Sequence, residues 1–126
     1  ALARSENQSD IIAGVDLTNE PDIVTSILID LAQRETKNNS VKFAQLLVPE
    51  LQRAGGVTHK SHRFAGFVVL KAPDVPSVLI EVGYLSNHAD ESVMNTGRWR
   101  RRMADSIGRA VDDYFRHSRL DTKAER

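Results

Sequence analysis

The sequence predicts an α/β protein: part of a sheet with helices on both faces. Three observations predict it. Apolar residues recur at helical spacing through residues 21–52. Two short runs, 66–70 and 77–82, are rich in β-branched and aromatic residues. A third segment near the end carries an apolar stripe of four-residue steps.

The elements follow in order. Residues 1–12 read as a short helix ended by Gly14. Residues 15–20 read as a loop. Pro21 suits a first helical turn, with Asn19 as its cap. The helix it opens carries Ile23, Ile27, Leu28, Leu31, Phe43, Leu46 and Leu47. An interruption is expected near Lys37-Asn38-Asn39-Ser40, a disturbed last turn at Pro49 and a stop at Gly55-Gly56. Gly66-Phe67-Val68-Val69-Leu70 reads as one strand. Ala72-Pro73-Asp74-Val75-Pro76 reads as a turn and Ser77-Val78-Leu79-Ile80-Glu81-Val82 as a second strand. That second run does not alternate apolar with polar, so both of its faces are expected to be covered. Two strands do not make a stable sheet, which places the rest of the sheet upstream. Ser86 or Asn87 is placed to cap a short helix over 89–94. Trp99, Met103, Ile107, Val111 and Tyr114 define a last helix over 98–115, with a frayed polar tail beyond it.

The chain of 126 residues balances 17 basic against 17 acidic side chains. That balance calls for no nucleic-acid partner. Cysteine is absent, which excludes disulfides, thiolate metal sites and a cysteine nucleophile. No apolar stretch reaches the length of a membrane span, and no signal peptide is visible at Ala1. A chain that opens inside a helix is expected to be part of a longer protein.

Glu81 is the residue that points to chemistry. A carboxylate in an apolar run needs a partner, a proton or a cation. Its place at the end of a strand is where open α/β sheets bind ligands. Two readings stay open on residue type alone: a general base tuned by burial, or a structural glutamate paired with an arginine. The histidines are weaker signals. His59 and His62 are spaced for neither one helix face nor one strand face in this context, and read as solvated loop residues. His88 and His117 are isolated. The run Arg98-Trp99-Arg100-Arg101-Arg102 reads as a solvated helix face, because Trp99 falls on the apolar stripe.

The segment from His62 to Asn87, centred on Pro76-Ser77-Val78-Leu79-Ile80-Glu81-Val82-Gly83-Tyr84-Leu85-Ser86-Asn87, resembles the closing motif of zinc-dependent N-acetylmuramoyl-L-alanine amidases. Asp30-Leu31-Ala32-Gln33-Arg34-Glu35-Thr36 resembles the periplasmic cell-division type. The resemblance runs from about Ala1 to Phe115. It implies a three-layer α/β/α amidase domain, of which this chain is the C-terminal part. Residues 1–20 would be the end of a regulatory insertion, 21–118 the core, and 119–126 the tail. It implies hydrolysis of the amide between N-acetylmuramic acid and the L-alanine of the peptidoglycan stem peptide, in cell-wall remodelling and daughter-cell separation. It implies a zinc cofactor whose histidine and glutamate ligands lie in motifs that this chain lacks.

What carries over is the motif's glutamate, which falls on Glu81 as the acid and base acting on a zinc-bound water. The resemblance also implies an activator protein that displaces the insertion. An insertion carboxylate completing the zinc shell falls on Glu6, with Glu20 as the other candidate. An ordinary exposed helical glutamate is the reading that competes with it. For the chain as a whole, the competing reading is a non-catalytic cell-wall-binding or regulatory module. A third, an arginine-rich nucleic-acid binder, is disfavoured by the charge balance.

Overall fold

The computed structural model of the chain describes residues 12, 15–17, 20–55 and 62–124. The helix expected over 1–12 and the cap expected at Asn19 lie outside these residues. The described elements are α1 (Asp22–Ala54), a 3-10 turn (Val68–Leu70), α2 (His88–Met94) and α3 (Gly97–Ala124).

The expected sheet is absent: no strand occurs among the described residues, and the architecture there is helical. Of the two β-rich runs, the first winds into a turn, closed by Leu70 N–H to Phe67 O and Lys71 N–H to Val68 O, both at 3.0 Å. The second forms no ladder and no helix. A strand exists only where a neighbour takes up its backbone groups, and β-branched composition cannot supply that neighbour. Nor are both faces of the second run covered: Leu79 is 53% exposed and Val82 40%, while Val78 and Ile80 are half-covered.

α1 begins where proline allows. Pro21 O accepts from Val24 N–H at 2.9 Å and from Thr25 N–H at 3.0 Å. Asp22 in the first turn and Arg53 in the last both complement the helix dipole. The interruption expected at 37–40 does not occur. Ser40 instead turns its hydroxyl back onto Thr36 O at 2.9 Å, which leaves the helix intact. The helix also continues through Pro49, and it ends at Gly55, whose φ is 88°. There the Gly55 N–H closes on Gln52 O at 3.1 Å.

The residues form two compact units, and the division falls inside α1. One comprises Ala1–Val41 with Ala65–Val78. Leu17 and Thr25 are buried in it, while Ile23, Ile27 and Leu31 of the expected apolar stripe are exposed. Within this unit Thr36 and Ser40, one turn apart, hold the proline-rich bend. Thr36 Oγ1 donates to Pro73 O at 2.6 Å, and Ser77 N–H donates to Ser40 Oγ at 2.9 Å.

The other unit comprises Lys42–Phe64 with Leu79–Arg126. Its buried residues are Ala44, Leu47, Glu50, Leu51 and Ala54 of α1, and Met103, Ser106 and Ala110 of α3. Phe43 and Tyr114 meet edge to face, with ring centroids 5.5 Å apart. Steps of four residues overshoot a helical turn by about 40° each. The buried line on α3 therefore leaves Ile107 and Val111 half-covered and runs instead through Ser106 and Ala110. α3 also continues to Ala124, past the end expected near Phe115.

Candidate active site

The site is built from the run that carries Glu81 and the short helix after it. Glu81 is exposed, not buried. Neighbouring Val82 is 40% exposed, Tyr84 68% and Leu85 80%. The burial inferred from the apolar composition therefore does not hold for Glu81, although Val78 and Ile80 in the same run are half-covered. No arginine partner for Glu81 is present among the described ion pairs either.

Beyond Glu81 the backbone is held by α2. Tyr84-Leu85-Ser86-Asn87 forms a tight turn, with Asn87 N–H donating to Tyr84 O at 3.0 Å. Asn87, one of the two expected caps, is the N-cap of α2. Its Oδ1 accepts from Ala89 N–H at 2.9 Å and Asp90 N–H at 3.4 Å. Asp90 Oδ2 then accepts from Tyr84 N–H at 3.0 Å. Gly83 lies against the same helix: a Cβ there would sit 3.2 Å from Met94 Sδ and 3.4 Å from Asp90 Cβ. Asp90 was not singled out by its sequence. The signal available for it was the acidic residue three positions after a capping Asn.

Arg100 takes up the other end of α2, donating from Nη1 to Asn95 O at 3.1 Å and Met94 O at 3.4 Å. Its neighbours Arg98, Arg101 and Arg102 are exposed, in line with a solvated helix face.

The remaining candidates do not converge. His62 is exposed beside Phe64, at 5.1 Å between ring centroids. His88 Nδ1 lies 3.3 Å from Glu91 Oε2 on α2. His117 Nδ1 lies 2.7 Å from Asp113 O on α3. His59 and Glu6 fall outside the described residues. Glu20 is exposed, and its N–H donates to Leu17 O at 3.2 Å. Among the described residues no three metal-ligating side chains gather. No helix there is long and apolar enough to cross a membrane.

A separate polar cluster joins α1 to α3 in the same unit. Glu50, 6% exposed, accepts from Arg109 Nε at 2.8 Å and pairs with Arg53. Arg109 Nη2 also donates to Ser106 Oγ at 2.9 Å. The Arg109 hydrogen bond holds the Glu50 carboxyl below its ordinary range; burial opposes this, and the Arg53 and Arg109 charges reinforce it. A cleft beside it is lined by Arg53, Ala54, Arg102, Asp105, Ser106 and Arg109, and Glu81 is not part of it.

Comparison with known proteins adds what the geometry leaves open. A family model described as N-acetylmuramoyl-L-alanine amidase matches residues 6–113. The N-acetylmuramoyl-L-alanine amidase AmiA of Escherichia coli (strain K12) is 32% identical over 114 residues, covering 90% of this chain and 39% of that protein. The N-acetylmuramoyl-L-alanine amidase AmiC of Neisseria meningitidis serogroup B is 34% identical over 119 residues, covering 94% and 28%. The probable cell wall amidase LytH of Staphylococcus epidermidis (strain ATCC 12228) is 33% identical over 79 residues, covering 63% and 27%. The chain thus spans well under half the length of these relatives.

Proposed function

Because the chain belongs to the N-acetylmuramoyl-L-alanine amidase family, we propose that the complete protein hydrolyses the amide between N-acetylmuramic acid and the L-alanine of the peptidoglycan stem peptide, with Glu81 as its general base and acid. The observation that carries this reading is the family match, which runs over residues 6–113 and takes in the whole segment around Glu81. The exposure of Glu81 supports it, because water and a bulky polymeric substrate both need access to the carboxylate.

On this reading Glu81 accepts a proton from the water that attacks the lactyl carbonyl carbon. It then returns a proton to the alanine nitrogen as the carbon–nitrogen bond breaks. The family resemblance implies zinc, which would polarise that carbonyl and acidify the water when bound. The described residues of this chain do not assemble a site for it. On the family resemblance the main metal ligands belong to the rest of the complete protein, and what Glu81 contributes is proton transfer.

The wider setting of the reading is the periplasm, with a role in cell-wall remodelling and daughter-cell separation. Residues 1–20 are read as the end of an insertion that an activator protein displaces, and Glu6 as its carboxylate toward the metal. Glu6→Ala in the complete protein should then raise basal hydrolysis without activator; an unchanged basal rate would remove Glu6 from that role.

The test of the central claim is Glu81→Gln in the complete protein. Hydrolysis of purified peptidoglycan is expected to fall about 10²- to 10⁴-fold. Zinc content and melting temperature should stay as in the parent. Near-normal cleavage would sink the assignment.

A further inference from the structure

A carboxylate that moves protons must be held within hydrogen-bond reach of the reacting groups, and a misplacement of about 1 Å can cost as much as 100-fold in rate. Glu81 is exposed, on a stretch that forms no ladder and in which Ser77, Val78 and Ile80 are half-covered. Among the described hydrogen bonds, the one that holds the chain just after Glu81 is at Tyr84.

The sequence Asn87-His88-Ala89-Asp90 has the spacing of a capping box. In such a box the acidic residue three positions after the cap reaches back to the cap's own N–H. Here the cap half is present, since Asn87 Oδ1 takes the N–H groups of Ala89 and Asp90. The reciprocal half is redirected. The Asn87 N–H is already bonded to Tyr84 O, and Asp90 Oδ2 bonds instead to the N–H of Tyr84 at 3.0 Å. Asp90 thus reaches out of its own helix and onto the run that bears Glu81. The acceptor is a carboxylate, which makes the bond charge-assisted and stronger than a neutral one.

The contact is reinforced by shape. Gly83, next to Tyr84, lies against Asp90 and Met94 so closely that a Cβ would meet Met94 Sδ at 3.2 Å. Backbone and helix touch at two successive residues. Tyr84 lies three residues after Glu81, a reach of at most about 10 Å along the chain. α2 is itself held at both ends, by Asn87 at its start and Arg100 at its finish.

We infer that Asp90 is a positioning residue for Glu81: it fixes the Gly83-Tyr84 backbone to α2 and so sets where the Glu81 carboxylate stands. This rests on the proton-transfer role proposed for Glu81.

The experiment compares Asp90→Ala, Asp90→Asn, Glu81→Gln and Glu81→Gln/Asp90→Ala in the complete protein, with purified peptidoglycan as substrate. Asp90→Ala is expected to lower kcat about 10- to 100-fold, with KM within about twofold and the helical circular dichroism unchanged. Asp90→Asn keeps an acceptor for the Tyr84 N–H and should recover most of the rate. In the Glu81→Gln background, Asp90→Ala should add no further loss, because both act on one step. Where Asp90→Ala is not recovered folded, Asp90→Gln, whose acceptor stands one methylene further out, is expected to show the same kcat loss. A parent-like kcat for Asp90→Ala, or an undiminished further loss on top of Glu81→Gln, overturns the inference. A near-normal Glu81→Gln enzyme overturns the role of Glu81 instead, so the two failures are distinct.

Discussion

Glu50 is a carboxylate whose surroundings stabilise its charge. It is buried, and a buried charge is costly unless paired; Arg109 and Arg53 provide the pairing. Because its folded-state pKa lies below the ordinary value of 4.5, the unfolded chain binds more protons through that region. The stabilisation is therefore fully present above about pH 4.5 and is lost as pH falls through the folded-state value. Glu50→Gln is expected to flatten the dependence of the urea midpoint on pH below 5, while leaving its slope above pH 6 as in the parent. An equally steep acid limb in Glu50→Gln would show that other groups govern it. Glu81 teaches a different lesson at the same scale. Its identity as the candidate carboxylate could be picked out from the residues around it, yet its exposure could not. The apolar neighbours Val78, Leu79 and Val82 say what a residue would prefer to touch, not whether anything is there to touch.

Among elements, those with local causes were legible and those with distant causes were not. Pro21, Gly55 and Asn87 announce helix ends because proline geometry, a left-handed glycine and a side-chain cap act within a few residues. The runs at 66–70 and 77–82 looked like strands for reasons of composition, but pairing is a long-range event that their own residues do not decide. Lys37-Asn38-Asn39-Ser40 reads as a break because Asn and Ser are poor helix formers; it is helical nonetheless, with the Ser40 hydroxyl engaged by Thr36 O within the helix and not in a competing turn. The same pair secures the bend at 73–77. Ser40→Ala removes both the back-bond and the acceptor for Ser77 N–H, and is expected to cost about 1–2 kcal/mol of stability. Thr36→Val, which loses only the bond to Pro73 O, should cost about 1 kcal/mol. Amide hydrogen exchange at Ser77 should accelerate in Ser40→Ala; protection equal to the parent would mean the bond seen here is not the one that protects it.

At the level of the whole molecule, the apolar side chains left in the open are the leading feature. In one unit Ile23, Ile27, Leu31, Val68 and Val69 are exposed; in the other Phe64, Leu79, Tyr84, Leu85 and Val93 are. Scattered exposed apolar residues are ordinary, but this many large ones raise the free energy of a chain that must face water with them. The 126-residue chain, expressed alone, is expected to bind an anilinonaphthalene sulfonate dye and to sediment with a concentration-dependent mass. A dye-silent monomer at all concentrations would show that these side chains find cover within the chain.

The close approach of Gly83 to α2 reaches beyond this one protein. A methyl group at position 83 would meet the sulfur of Met94, so the two positions share a fixed volume. Gly83 also has a φ of 157°, where a side chain is strained whatever stands at position 94. Among homologues the glycine should therefore be kept wherever the helix is docked onto the loop, whatever the residue at the place of Met94. The glycine would then serve as an evolutionary gauge of that docking.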